Sequence, residues 1–186
     1  DNEHYYLNQY MVSAASTPSI VPNRAVDELI KQSEKIASLL SLKTGIFHVQ
    51  FILQDNQPVI IEICRRPPGD LYIKLVEHAT GVDYASWIIS ATAGLDCSKL
   101  TQKEVNGFYT RHCIMASEPG VLDKIVIDKN LEEKIIDRFL WWESGDRIDD
   151  VQTKKCGIVF VKFNSMDEML KDTEAMHTLI HAKLHN

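Results

Sequence analysis

An α+β fold with mostly antiparallel strands, in two lobes, is what this 186-residue sequence predicts. Three observations predict it. Two apolar runs, Ile46–Leu53 and Val59–Cys64, are parted only by Gln54-Asp55-Asn56-Gln57-Pro58, a hairpin spacing. Further strand-like runs at 108–116, 121–127, 135–142 and 157–163 have good turn signals in their connections. The polar stretch from Asp96 to Asn106 divides the two groups, so residues 1–95 and 107–186 read as two domains with 96–106 as their linker.

In chain order, Tyr5 to Val12 reads as a strand, and a Ser/Thr/Pro-rich connection follows it. Val26 to Leu40 reads as a helix, because Val26, Leu29, Ile30, Ser33, Ile36, Ala37 and Leu40 recur at helical spacing behind the acidic pair Asp27-Glu28. The hairpin comes next, then Arg65-Arg66-Pro67-Pro68-Gly69-Asp70, then a helix from Leu71 to about Thr80 stopped by Gly81. Asp83 caps a second helix that runs to Gly94. In the second half, Pro119-Gly120 and Ser144-Gly145-Asp146 are the turn signals between strands. Ser165-Met166-Asp167-Glu168 is a capping box, and Met169, Leu170, Thr173, Met176, Ile180 and Leu184 extend one helical face to the end of the chain.

Composition excludes several classes. With 26 acidic and 20 basic side chains the net charge is −6, which argues against a general nucleic-acid binder. The longest apolar stretches fall short of the ~18 residues that suggest a membrane span. Cys64, Cys97, Cys113 and Cys156 are widely spaced without a CxxC, which fits reduced thiols in a cytoplasmic protein.

Chemistry concentrates on the hairpin. Strand side chains alternate, so Phe47, Val49, Phe51 and Leu53 share one face and His48 and Gln50 the other. On the return strand Val59, Ile61 and Ile63 oppose Ile60, Glu62, Cys64 and Arg66. With Leu53 opposite Val59, Gln50 faces Glu62 and His48 faces Cys64. Opposed Cβ atoms lie ~5 Å apart, within reach of one bridging Mg²⁺. The apolar face suits packing under the Val26–Leu40 helix. The polar face fits either a metal site or plain solvent exposure.

The string Gly45-Ile46-Phe47-His48-Val49-Gln50-Phe51, a short turn, then Ile61-Glu62-Ile63-Cys64-Arg65-Arg66-Pro67-Pro68-Gly69-Asp70 resembles the metal-binding second half of an ATP-grasp domain. Carbamoyl-phosphate-synthase-like proteins and amino-acid ligases are the most similar branches, and the resemblance extends through the strands and turns from Phe108 to Leu184. It implies an enzyme that phosphorylates a carboxylate with ATP and lets an amine, or a thiol, attack the acyl phosphate. Glu62 matches the carboxylate that bridges Mg²⁺ (or Mn²⁺) ions, Gln50 the ligand on the neighbouring strand, and Arg66 the catalytic arginine on the transferring phosphoryl group. Gln50, Glu62 and Arg66 would together hold Mg-ATP. Cys64 departs from the pattern, which has Asn there, and a thiol is a poor ligand for Mg²⁺. Substrate contacts fall on His48, Arg65, Gly69 and Arg111. For His48 a hydrogen-bonded structural role competes with that reading; for Arg65, a solvated surface; for Gly69, a simple N-cap at Asp70. Neither the Lys residues and Gly-rich lid of the nucleotide site nor the preceding α/β domain matches anything here. The expectation is therefore the C-terminal part of a longer ligase, completed by N-terminal domains of the same polypeptide, acting on small carboxylates and amines, with a homodimer open. A non-catalytic ATP-grasp-like binding module is the alternative.

His177 and His181 stand i, i+4, which suits two metal ligands or a favourable helix C-terminus. Trp141-Trp142 places one ring on each side of a strand, one of them for the core.

Overall fold

The computed structural model describes residues 1–185 as ten strands and six helices in an α+β arrangement. The chain divides into two compact units. One comprises Asp1–Ser19, His78–Thr80 and the chain from Val105 onward; the other comprises Ile20–Glu77 and Gly81–Glu104.

The first unit is built on a five-stranded antiparallel sheet in the order β1 (Asn2–His4), β2 (Ala14–Thr17), β5 (Phe108–Ile114), β9 (Gly157–Phe163), β7 (Ile135–Leu140). A smaller sheet sets β6 (Gly120–Ile127) between β10 (Ile180–His185) and β8 (Arg147–Ile148). Short helices α4 (Lys129–Glu132), α5 (Met166–Glu174) and α6 (Met176–Leu179) complete it. Ile114, Leu122, Val159, Val161, Met169 and Ile180 belong to one buried cluster. Gly157 is required by close packing: a Cβ there would stand 2.6 Å from the Phe139 carbonyl oxygen on the neighbouring strand.

Two expectations change in this unit. The strand expected over residues 5–12 is a connection, flanked by β1 and β2. Ala14-Ala15-Ser16-Thr17 looked like loop because its side chains are small and partly polar. That smallness is what lets β2 pair with β1 on one side and β5 on the other while all four residues are buried. The expected first segment, residues 1–95, thus contributes β1 and β2 to the sheet that contains β5. The long terminal helix expected after the capping box also breaks. It ends at Leu179, and Ile180 to His185 pair with β6. Ile180-His181-Ala182-Lys183-Leu184-His185 alternates apolar and polar, a strand period overlaid on the last turns of a helical one. His177 and His181 therefore do not share a helix. Strand β7 stops at Leu140, leaving Trp141 exposed while Trp142 packs on the core.

The second unit holds α1 (Asn23–Leu39), the hairpin of β3 (His48–Gln54) and β4 (Gln57–Cys64), α2 (Tyr72–Thr80, its last three residues counted with the first unit) and α3 (Tyr84–Thr92). Gly81, at φ 71, closes α2 in the left-handed conformation that glycine adopts without cost. Asp83 caps α3, its Oδ1 accepting from the Ser86 N–H at 3.0 Å. Asp70 does not cap α2. The N-cap is Leu71, left-handed and without a side-chain cap bond. Among the described residues no helix is long and apolar enough to cross a membrane.

Candidate functional site

The hairpin turns on Asp55-Asn56, both with positive φ, a two-residue connection of the type that Asn and Asp tolerate. The tight turn pairs Gln54 with Gln57, Leu53 with Pro58, Ile52 with Val59 and Phe51 with Ile60. The expected pairing of Leu53 with Val59 is therefore one residue out at this end. A bulge at Ile61 then restores the register: Gln50 pairs with Glu62, Val49 with Ile63 and His48 with Cys64. Without the extra residue Glu62 would sit opposite Val49 and point to the other face.

The bulge also re-sorts the apolar side chains. Pro58 and Ile60 share the face of Phe51 and Leu53, and Pro58, Ile60 and the α1 residues Ile36 and Leu39 line a common groove. Val59 moves with Ile52 to the polar face, and Val59, Ile61 and Ile63 are all exposed. The expected burial of these three under α1 is thus corrected. Val59 borders the α1 groove yet stays exposed, and Ile63, returned by the bulge to the face of Phe51, is exposed as well.

On the polar face the side chains of His48, Cys64 and Glu62 form a chain of contacts. The Cys64 thiol donates to the Glu62 carboxylate, Sγ to Oε1 3.6 Å, and its sulfur lies 3.4 Å from His48 Nδ1. Such separations are ordinary for sulfur, whose radius exceeds oxygen's. Lost hydration, and then the neighbouring Glu62 charge and hydrogen bond, push the Cys64 thiol above its usual range, while Arg66 pulls the other way. Cys64 is thereby held as a neutral thiol.

The remaining residues fall in different places. Arg65 is anchored: Nη2 donates to the Lys43 and Thr44 carbonyls at 2.8 and 3.3 Å. It lies so close to Gly45 (φ 147) that a Cβ there would be 2.5 Å from the guanidinium. Arg65 is thus exposed and tied by its guanidinium to the backbone ahead of β3. Arg66 is exposed, with Nη1 donating to the Pro67 carbonyl at 3.1 Å. Gly69 is exposed with open space around it, so no packing or cradle demands a glycine there. Arg111 is fully buried on β5 in the other unit, its Nη1 donating to Cys113 Sγ at 3.0 Å. The hairpin thus brings together His48, Gln50, Glu62 and Cys64.

The first unit holds a cavity that the sequence signalled only through the pair His177 and His181. Tyr6, His112, Met115, His177, Ile180 and His181 line a cavity of about 300 Å³. Tyr6 stacks on His177 at 4.6 Å between ring centres. His112 Nε2 donates to the Ile180 carbonyl at 2.9 Å. Burial, with Arg111 and His177 adding like charge, brings His112 down to about 4. The sequence showed His177 and His181 only as an i, i+4 pair; their meeting with His112, some 65 residues earlier on β5, follows from no spacing rule.

No family model matches the chain, and no curated protein does. Solved structures do match. An L-amino acid ligase from Bacillus licheniformis superposes with a TM-score of 0.78 at 17% identity, covering 95% of this chain and 45% of its own. Phosphoribosylglycinamide synthetase from Anaerococcus prevotii gives 0.77 at 19%, covering 98% and 48%. Biotin carboxylase from Campylobacter jejuni gives 0.69 at 13%, covering 94% and 40%. The chain spans less than half the length of each of these three proteins. Likeness at such low identity is likeness of fold: these residues share the fold of part of each of these three enzymes.

Proposed function

We propose that this chain forms part of an ATP-dependent ligase, in which a carboxylate is activated as an acyl phosphate and then attacked by an amine or similar nucleophile. The observation that carries the reading is the pairing of Gln50 with Glu62 on one face of a hairpin inside an ATP-grasp fold. Two oxygen donors opposed across an antiparallel pair suit a hard cation. Glu62 and Gln50 are the residues that would hold Mg²⁺ or Mn²⁺ against ATP phosphates. Such an ion neutralises charge that develops during phosphoryl transfer. Arg66, exposed just beyond β4, would offer its planar fork to phosphate oxygens. His48 stands beside them on the same face. The nucleotide lid, the remaining substrate contacts and any homodimer contact would come from chain outside the matched part. Four free thiols suit a cytoplasmic setting.

The test is Glu62→Ala in the full-length protein. ATP consumption should fall by orders of magnitude with far-UV dichroism unchanged. Unchanged turnover would favour the second reading, a non-catalytic ATP-grasp-like module, to which Cys64 in place of an oxygen ligand gives some support. Residues 1–186 alone should bind Mg-ATP weakly and turn nothing over. Micromolar affinity by calorimetry would contradict this.

A further inference from the structure

No residue of the hairpin lines the cavity of the first unit, and its wall has a hydrogen-bonding character of its own. Four side-chain donors on it are already committed to main-chain carbonyls. The Tyr6 hydroxyl donates to Thr173, the Thr178 hydroxyl to Ala175, His112 Nε2 to Ile180 and His181 Nδ1 to Thr178. A neutral imidazole that donates through one nitrogen offers a lone pair on the other. His181, half-buried on β10, therefore presents Nε2 as an acceptor. His112 keeps Nδ1 as a second acceptor, buried and without a hydrogen-bond partner among the described residues. The wall thus accepts hydrogen bonds more than it donates them.

Charge is absent from the same wall. No Asp, Glu, Lys or Arg lines the cavity. A charged ligand would give up hydration there without meeting an opposite charge, which disfavours anions and cations alike. Burial, with Arg111 and His177 as like charges, keeps His112 neutral, so it does not supply a cation. Much of the remaining lining is apolar or aromatic. Met115 and Ile180 are buried, and Tyr6 stacks on His177 at 4.6 Å with the ring planes 29° apart. The Tyr6 hydroxyl is turned to Thr173, so the side chain serves the cavity through its ring. The volume, about 300 Å³, is at the lower end of the range that small-molecule sites occupy.

We propose that this cavity binds a small neutral aromatic molecule carrying a hydroxyl or a ring N–H, whose donor bonds His181 Nε2. Its ring lies among Tyr6, Met115 and Ile180, where flat faces and apolar side chains replace water. Each property of the ligand answers one property of the wall. Neutrality answers the missing charges, the donor answers the imidazole lone pairs, and the ring answers the apolar lining.

The inference needs nothing from the ligase reading, and its test uses no nucleotide. Phenol is titrated into the full-length protein at pH 8, where phenol and an ordinary histidine are both neutral. The ring signals of Tyr6 and His181 are followed by nuclear magnetic resonance. They should shift saturably with phenol. Benzoate and benzylammonium, similar in size but charged, should leave them in place at the same concentration. His181→Phe keeps a ring and removes the acceptor. It should weaken phenol roughly 2–10-fold, the worth of one neutral hydrogen bond, and leave toluene, which has no donor, unchanged. Ser117→Trp puts a large ring into the cavity from an exposed position and should abolish binding of both, with the unfolding midpoint unchanged. The comparison of phenol with its charged analogues uses the unaltered protein and stands whatever the variants do. Three results would each overturn the proposal: no saturable shift of Tyr6 and His181 with phenol, charged analogues that bind as well as phenol, or a His181→Phe protein whose phenol affinity falls no more than its toluene affinity.

Discussion

His112 is almost wholly buried. Its Nε2–H is committed to the Ile180 carbonyl, its ring lies tilted against Tyr6 at 5.9 Å, and Arg111 precedes it on the same buried strand. A charged imidazole there would lose its hydration and meet the charges of Arg111 and His177, so the folded chain keeps His112 neutral down to about 4. The unfolded chain protonates near the ordinary histidine value of about 6.5. Between these values the unfolded state binds more protons, so the contribution is complete above about 6.5 and is lost as pH falls through about 4. Integrated over that window, one such histidine is worth at most about 3 kcal/mol. His4, also depressed by burial, adds in the same direction. Urea unfolding followed from pH 7.5 to 4.5 should show stability falling with acid. His112→Gln, which keeps a donor for the Ile180 carbonyl, should flatten that slope. An equal slope in both proteins would remove His112 as its source.

At the level of elements, the hairpin explains what the sequence could and could not disclose. The opposition of Gln50 and Glu62 was legible because strand side chains alternate and the two runs are close in sequence. The route to it was not. The turn takes two residues, Gln54, Gln57 and Pro58 join the pairing, and a bulge at Ile61 makes up the one-residue offset that results. A bulge inside a uniform Val-Ile-Ile run leaves no compositional mark. The tail was misread for a related reason: Ile180 and Leu184 continue the helical face of Met169 and Met176, and only pairing with β6 decides for strand. Asn56 bears the strain of the tight turn at φ 61. Asn56→Val places a β-branched residue in the left-handed region and should cost about 1–2 kcal/mol in denaturant unfolding. Ser165 was legible as a cap and acts as one. Its Oγ accepts the Glu168 N–H at 3.2 Å, while Glu168 accepts from the Asn164 N–H at 2.8 Å and from Lys134. Ser165→Ala should cost about 1 kcal/mol in the same assay.

Across the whole molecule the two units differ in what they bury. The first has a five-stranded sheet whose central strands β5 and β9 are buried almost throughout, with a continuous apolar cluster around them. In the second, Ala25, Leu75 and Val82 are the buried apolar side chains apart from Pro58, while Ile52, Val59 and Ile61 are exposed. Its sheet is a hairpin of two strands, an arrangement that is marginal in water unless something packs on it, and α1 does so along one face. Apolar burial dominates stability, so opening the second unit should need far less free energy than unfolding the first. Native-state hydrogen exchange resolves this amide by amide. The amides of β5 and β9 should exchange only through global unfolding, at the free energy that denaturant titration reports. Those of β3 and β4 should exchange through a smaller opening, with rates insensitive to low denaturant until the global process overtakes them. Equal protection in both sheets would mean that the hairpin opens only with global unfolding, and the sparse burial around it would not then set its stability.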